Sequence, residues 1–121
     1  MTRFKLQVIS SPGRGRGLFA CEFIPARNLI DSAPVTELDP DISGVLLQRG
    51  SGDLFLSWRE AEDKVVTLAF AAGILMICNH DSRRPNAQLK KDYAGRTVEL
   101  WSTGDIQSGE EILISYRKYQ L

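Results

Sequence analysis

The chain has 121 residues and a mass of 13.5 kDa, and 43% of its residues are apolar and 25% are charged. This composition is that of one ordinary soluble globular domain, and a chain of this length is too short for two. Fifteen basic and fifteen acidic residues cancel, which excludes a histone-like or polybasic nucleic-acid binder held by bulk charge. The charge is unevenly placed, because residues 31–63 hold eight acids and two bases and the remainder holds seven acids and thirteen bases.

Turn signals recur at short intervals, which predicts many short strands and little helix in one mainly β domain. Apolar and polar residues alternate in several stretches, and proline is expected to limit a strand because it lacks an N–H group. The predicted elements in chain order are strands at 4–9, at 17–20 and at 28–30 between Pro25 and Pro34, a loop-rich insertion between residues 37 and 52, a strand at 54–58, a short buried helix near 73–77, and strands at 97–102 and 112–114.

The sequence predicts neither a metal site nor a membrane span. Cys21 and Cys78 stand apart in apolar contexts, without the spacing of zinc ligands. The longest apolar run, residues 65–78, is shorter than the about 20 residues that a membrane-spanning helix needs. The first residues lack the apolar core of a signal peptide. We therefore expect a soluble, intracellular protein.

Three glycines alternate with two arginines in the segment GRGRG at residues 13–17, directly before the second predicted strand. Glycine lets backbone amides approach a ligand closely and accepts positive φ. No Gly-Lys-Ser/Thr sequence follows, so the segment is not a phosphate loop. By itself it is more typical of a tight turn, and it is too short for an RNA-binding arginine-glycine tract.

A polar segment, NHDSRRPNA at residues 79–87, follows the apolar run without a linker. We expect the side chains of Asn79 and His80 to be partly buried there and to need hydrogen-bond partners. His80 is the single histidine, and by itself it is more typical of a structural hydrogen bond than of a catalytic or metal site. The asparagines around Pro85 predict a rigid loop with well-placed amide donors and acceptors.

The third polar segment, DIQSGEEILISY at residues 105–116, lies in the last predicted strand region. Glu110 and Glu111 are adjacent, so on a strand they point to opposite faces and do not form an acid and base pair. Tyr116 ends an apolar strand, where its ring can be buried while its hydroxyl reaches a cavity. A tyrosine in this setting is more often a core residue.

In their order and spacing the three segments resemble the SET-domain protein-lysine methyltransferases. The resemblance covers roughly residues 5–119 and is carried by residues 13–20, 79–87 and 109–116. Two departures fall in the second segment, where Asp81 takes the place of the usual Ser and one extra residue precedes Pro85. A third is Leu89, which stands where many members that act on histones have an aromatic residue lining the lysine channel.

The resemblance implies a SET-domain β-clip fold of small sheets, in which the C-terminal segment threads past the Asn-His loop to form a pseudoknot. It further implies a single SET domain over residues 1–121 with a variable insertion around residues 35–65. No pre-SET region and no cysteine-rich post-SET region are expected. The compact form is similar to stand-alone viral and bacterial members.

The implied activity is methyl transfer from S-adenosylmethionine to the side-chain amine of a lysine in a protein, with a histone or histone-like protein among the expected substrates. Tyr116 is the expected catalytic residue, whose hydroxyl orients the amine; a phenol stays neutral at pH 7 because its pKa is about 10. Glu111 and Asn86 are expected to be structural. The residues expected to bind the cofactor are Arg14, Gly15, Arg16, Gly17, Asn79, His80 and Tyr119.

A lysine-containing, basic protein or peptide is the expected partner, with Leu89, Asp39, Asp41 and Asp53 contacting it. The acids of residues 31–63 favour such a peptide through long-range steering. Binding to a membrane or directly to nucleic acid is not expected, and a homodimer in which one chain completes the other's site is left open. Two alternatives stay open: a SET-like module that binds proteins without catalysis, and, less favoured, a nucleic-acid binder using Arg14, Arg16, Arg83, Arg84, Lys90 and Lys91.

Overall fold

The computed structural model describes residues 3–50 and 55–115, and strands dominate that part of the chain. The strand-rich, helix-poor fold predicted from the sequence is confirmed. The elements are β1 (Leu6–Ser11), β2 (Gly15–Ala20), β3 (Leu29–Glu37), α1 (Pro40–Gln48), β4 (Leu56–Ala61), β5 (Lys64–Ala71), a 3₁₀ helix (Ile74–Ile77), β6 (Asn79–His80), β7 (Ala87–Asp92), β8 (Thr97–Ser102) and β9 (Leu113–Ile114).

The described strands form a two-stranded ribbon, β1-β2, and a seven-stranded curled sheet in the order β4-β5-β3-β8-β7-β9-β6. Strand β9 lies between β6 and β7 and is parallel to both, whereas the other paired strands are antiparallel. The loop that joins β6 to β7 is bonded to β9 at both ends, because the N–H groups of Asp81 and Asn86 donate to the carbonyls of Ile114 and Leu113, each at 2.9 Å. A late segment is thus threaded through an earlier loop, which is the predicted pseudoknot.

The prediction that the third strand ends before Pro34 is wrong. Strand β3 continues to Glu37 and changes its partner at this point: it pairs with β8 up to Pro34 and with β5 from Val35 onward. Proline has no N–H to donate, but its carbonyl accepts from the N–H of Ala72 at 3.2 Å. Pro34 is tolerated because it lies where the strand passes from one neighbour to the next.

The segment predicted to be a loop-rich insertion holds the helix α1, so that prediction is also wrong in part. Asp39 caps the helix, since its Oδ1 accepts from the N–H of Ile42 at 2.8 Å, and Pro40 opens the first turn. Ser43 is fully buried, and its Oγ accepts from the N–H of Leu68 at 2.9 Å. This bond fastens the helix to β5.

One apolar cluster joins the two sheets. Its members come from β2, β3, β4, β5, β7, β8 and β9 and from the segments between them. Cys78 and Ile112 belong to it and directly precede or follow polar residues of the predicted site, so that site is built on the edge of the core. The largest buried apolar side chains of the cluster are Trp58, Leu18, Ile24, Ile30, Leu75, Leu100, Ile106 and Ile112.

Neither helix in residues 3–50 and 55–115 has the length and apolarity needed to span a membrane. In the same residues, no group of three His, Cys, Asp or Glu side chains is placed to hold a metal ion.

Candidate functional site

The glycine tract, residues 13–17, forms the turn of the β1-β2 hairpin and the start of β2. We call β1, β2 and this turn the glycine hairpin. Gly13 and Gly15 have φ angles of 75° and 78°, a region that side chains other than glycine rarely adopt. Gly17 lies further along β2 and is needed for a different reason. A Cβ added there would overlap Oε2 of Glu111 and lie 3.0 Å from Nδ2 of Asn79. The hairpin backbone therefore approaches both other polar segments closely.

The carboxylate of Glu111 is the point at which the three predicted segments meet. Its Oε1 accepts from the hydroxyl of Ser11 at 2.8 Å across 100 positions of sequence. Its Oε2 accepts from Nδ2 of Asn79 at 2.7 Å, and the same amide also donates to the carbonyl of Arg16 at 2.9 Å. Glu111 thereby fixes which way the Asn79 amide points, since both contacts come from its NH₂ group.

The guanidinium of Arg14 joins the hairpin turn to both other segments. One nitrogen lies 3.0 Å from Oδ2 of Asp81 and another lies 3.4 Å from Oε1 of Glu111. The Arg14 side chain is 37% exposed, whereas those of Asp81 and Glu111 are 20% and 11% exposed. Two partly buried carboxylates thus share one cation.

Asp81 closes the loop between β6 and β7. Its Oδ1 accepts from the backbone N–H groups of Arg83 and Arg84, at 2.9 and 3.1 Å. These two hydrogen bonds, together with the hydrogen bond and positive charge of Arg14, hold the pKa of Asp81 below its usual value. The residue that replaces the usual Ser therefore shapes the turn in a loop that is one residue longer than the family pattern.

Asn86 connects the far end of the same loop to the segment before and within β9. Its Nδ2 donates to the carbonyl of Glu111 at 2.9 Å, and its Oδ1 accepts from the N–H of Leu113 at 2.8 Å. Both ends of the amide are used on backbone groups. This arrangement agrees with the structural role expected of Asn86.

The two residues of β6 differ in their exposure. Asn79 is half-buried, as predicted, whereas His80 is exposed, so the burial predicted for its side chain is wrong. Successive side chains of a strand point to opposite faces, and the Asn79 side chain faces Gly17 and Glu111, so that of His80 points away. Before them, Cys78 is buried, and its burial is the main reason that the pKa of its thiol is raised.

Three of the residues predicted to contact substrate are described, and they lie away from the Glu111 carboxylate's hydrogen bonds. Leu89 is 5% exposed and packs in the core, opposite Leu100 of the neighbouring strand. Asp39 caps α1, and Asp41 lies exposed in its first turn. Three further residues that the sequence singled out, Asp53, Tyr116 and Tyr119, lie outside the described residues. For all of these the functional role stays a prediction.

Ser11 and the ionic contacts of Arg14 were not anticipated. No role was predicted for Ser11, and Arg14 was expected to bind the cofactor. The sequence holds a weak signal for the ion pair, namely an acid at a position where the related pattern has an uncharged Ser. It holds none for the Ser11 contact.

A family model for the SET domain matches residues 15–117. The chain belongs to the SET-domain family. The histone-lysine N-methyltransferase, H3 lysine-37 specific, of Schizosaccharomyces pombe (strain 972 / ATCC 24843) is 30% identical to it over 118 residues, which cover 94% of this chain and 74% of the relative. A Plasmodium falciparum protein described as a candidate histone methyltransferase has a crystal structure that superposes with a TM-score of 0.70, at 24% identity over 94% of both chains.

This SET domain therefore has the fold of its family and a histone-lysine methyltransferase among its relatives. The family resemblance drawn from the three motifs is confirmed. The polar cluster consists of Ser11, Arg14, Asn79, Asp81 and Glu111. Its last three members lie within the matched residues, as does the whole loop from Asn79 to Asn86.

Proposed function

We propose that this SET domain is an S-adenosylmethionine-dependent protein-lysine N-methyltransferase, formed as one domain over residues 1–121 with a variable insertion around residues 35–65. The observation that carries the proposal is the meeting of the glycine hairpin, Asn79 and Glu111 in one polar cluster. These are the segments on which the family resemblance rests, and a histone-lysine methyltransferase is among the relatives.

The residues present fit the cofactor. A Cβ placed at Gly13 or Gly15 would meet nothing within 4 Å, so the hairpin turn offers open backbone that a ligand can approach. Beside it stand a guanidinium and two carboxylates, which suit the carboxylate and ammonium of an amino-acid moiety. We propose that the backbone of Arg14, Gly15, Arg16 and Gly17, with Asn79 and His80, holds the cofactor and that Tyr119 covers it.

When bound, S-adenosylmethionine supplies a methyl group on a sulfonium that leaves as a neutral thioether. Such a transfer depends on alignment, and holding two reactants in a near-attack geometry contributes about 7 to 11 kcal/mol. The Glu111 carboxylate contributes by fixing the orientation of Asn79. We propose that Tyr116 orients the lysine amine through its hydroxyl. A lysine must arrive deprotonated, so activity should rise towards alkaline pH.

The proposed substrate is a lysine in a basic segment of a protein, with a histone or histone-like protein as the first candidate. The named activity of the Schizosaccharomyces pombe relative supports a histone. The excess of acids in residues 31–63 supports a basic segment.

The proposal is tested by incubating the protein with labelled S-adenosylmethionine and a panel of histones and other lysine-rich proteins. Label should appear on lysine, as located by mass spectrometry, and cofactor should bind in calorimetry. The absence of both transfer and binding would overturn the proposal. If the protein binds these proteins but excess cofactor does not stabilise its fold against heat, the result would instead support a non-catalytic SET-like binding module.

Tyr116→Phe is the sharpest variant for the same assay. It removes the hydroxyl and retains the ring, so we expect cofactor affinity to persist and most of the turnover to be lost. Calorimetry and initial rates separate the two effects. Turnover equal to that of the unsubstituted protein would remove Tyr116 from the catalytic role.

A further inference from the structure

The ion pair between Arg14 and Asp81 connects two loops that the proposed function assigns to one cofactor. Arg14 lies in the turn between β1 and β2, and Asp81 lies in the loop between β6 and β7. Their closest atoms are 3.0 Å apart. Two of the three departures from the family pattern fall in the second loop, one of them being Asp81 itself. The acid of this contact therefore stands where the related pattern has Ser.

The two oxygens of Asp81 have separate tasks. Oδ1 accepts from the backbone N–H groups of Arg83 and Arg84, and Oδ2 faces Arg14. The first set of bonds shapes the loop internally, whereas the second ties the loop to the hairpin. A substitution that keeps an acceptor at Oδ1 but removes the charge can therefore separate loop shape from loop attachment.

The same guanidinium reaches the centre of the polar cluster. Arg14 lies 3.4 Å from Oε1 of Glu111, whose other oxygen holds the amide of Asn79. Movement of the hairpin turn away from Asp81 would draw the cation away from Glu111 as well. Arg14 thus couples the position of the turn to the carboxylate that orients Asn79.

We propose that Arg14 and Asp81 are positioning residues that latch the glycine hairpin onto the β6-β7 loop and make cofactor affinity depend on ionic strength. The inference rests on the proposed function. Both side chains are partly exposed, and ion pairs of this kind are weakened by salt. When the latch is open, binding must first close the two loops, which raises the apparent dissociation constant.

The test uses Asp81→Asn and Arg14→Gln. Asparagine retains the acceptor for the Arg83 and Arg84 amides, so the loop keeps its turn while the charge is lost. At low salt we expect each variant to raise the Kd for S-adenosylmethionine by about fivefold, the effect of about 1 kcal/mol. The effect is expected on the Kd, because the latch acts before the chemical step.

Two further comparisons identify the cause as the ion pair. The double variant should bind no more weakly than Arg14→Gln alone, since that variant already removes the contact with Asp81. In about 0.5 M salt, where the screening length is a few ångströms, the difference from the unsubstituted protein should largely vanish. Arg49→Gln is the matched control, because this exposed arginine makes no ion pair with another described residue. At every salt concentration its Kd should equal that of the unsubstituted protein.

Hydrogen exchange provides a readout that needs no cofactor. In the cofactor-free protein the amides of residues 13–17 should exchange faster in both variants than in the unsubstituted chain. The amides of Arg83 and Arg84 should stay protected in Asp81→Asn and lose protection in Asp81→Ala, which has no acceptor.

The outcomes distinguish the two proposals. If the unsubstituted protein does not bind S-adenosylmethionine at all, the proposed function fails, while faster exchange at residues 13–17 still supports the latch. If the unsubstituted protein binds and the variants show the same Kd and the same exchange, the latch is overturned and the function stands. A loss of affinity that salt does not alter overturns the latch as an electrostatic device.

Discussion

Gly17 is the residue whose lack of a side chain allows the polar cluster to form. Its Cα faces the Glu111 carboxylate and the Asn79 amide so closely that a methyl group would displace them. The Asn79 amide is moreover held to the carbonyl of Arg16, the preceding residue. The hairpin can neither tilt away nor admit a Cβ without breaking one of these contacts.

We expect Gly17→Ala to lower the free energy of unfolding by about 1 to 3 kcal/mol, the range for overpacking a close contact, and to weaken cofactor binding. Gly104→Ala is the matched control, because a Cβ there meets nothing within 4 Å, and its effect should stay within about 0.5 kcal/mol. Urea unfolding and calorimetry measure the two quantities. Equal stabilities for the two variants would contradict the crowding argument.

Asp81 should make the stability of the protein depend on pH in the acid range. Hydrogen bonds from the Arg83 and Arg84 amides and the charge of Arg14 lower its pKa in the folded state. A lowered pKa stabilises the fold above the unfolded-state value of about 4, and this stabilisation is lost as the pH falls through the folded-state value. The stability difference between the unsubstituted protein and Asp81→Asn should therefore be largest near neutral pH and shrink below about pH 4. Urea titrations at several pH values check this, and a difference that is constant from pH 7 to pH 3 would contradict it.

Helix α1 was not predicted, and its sequence shows why. Asp39 and Pro40 form a helix start signal, but Gly44 in the middle and Gly50 after the end are more typical of a loop. The helix forms despite Gly44 because Ser43 fastens it to β5 through the N–H of Leu68. A tertiary contact of this kind cannot be derived from local sequence.

Two substitutions in α1 should have opposite effects. Asp39→Ala removes the cap and should lower the free energy of unfolding by about 1 kcal/mol. Gly44→Ala should raise it by up to about 1 kcal/mol, because an added Cβ meets nothing within 4 Å. Urea unfolding followed by circular dichroism measures both, with Asp39→Asn as a control that keeps the cap. A stabilising Asp39→Ala or a strongly destabilising Gly44→Ala would show that the helix is held differently.

The clearest strand predictions rest on the alternation of apolar and polar residues, which is typical of a strand with one face towards the core. Strands β1 and β8 alternate apolar and polar residues, and the sequence placed both of them. Strand β5 was not predicted, because Thr67, Leu68 and Ala69 are all buried and the sequence does not alternate there. Helix α1 covers one face of β5 and the core covers the other. Strand β7 was not predicted either, because its second half is polar; there Lys91 is half-buried and its Nζ donates to the carbonyl of Trp58 at 3.2 Å.

The candidate site was predicted as three segments but not as a set of contacts. Their order along the chain carried the resemblance to the family, and the family match confirms it. The bond between Ser11 and Glu111 joins residues 100 positions apart, and no local pattern marks such a pair. Successive side chains of a strand point to opposite faces, which excluded Glu110 and Glu111 as a catalytic pair. The sequence left open which of the two faces the site.

At the scale of the whole molecule, the acids of residues 31–63 lie partly at a distance from the polar cluster. Asp39 lines a cavity of about 610 Å³ that also includes Tyr93, at the tip of the hairpin between β7 and β8. Tyr93 follows the end of β7, six residues after Ala87, which pairs with β9, and six residues of strand span roughly 20 Å. Acids at this distance suit the attraction of a basic partner more than direct contact with the reacting lysine.

We expect the combined substitutions Asp39→Asn, Asp41→Lys and Asp53→Lys to slow the capture of basic peptides several-fold at low salt, with little effect at high salt. Asparagine is used at position 39 because it keeps the helix cap, which a lysine would remove. Cofactor affinity should be unchanged. Stopped-flow association with a lysine-rich peptide measures capture, and an association rate that is unaffected at low salt would refute the steering role.

The insertion of β9 between two earlier strands has a consequence for the order of events on the ribosome. The N–H groups of Asp81 and Asn86 donate to the carbonyls of Ile114 and Leu113, and the Ser11 hydroxyl and the Asn79 amide donate to the Glu111 carboxylate. A nascent chain therefore carries the glycine hairpin and the Asn-His loop for many residues before the group that joins them has been translated. Translation that stops before Glu111 yields a product in which much of the apolar core can gather but the polar cluster cannot form.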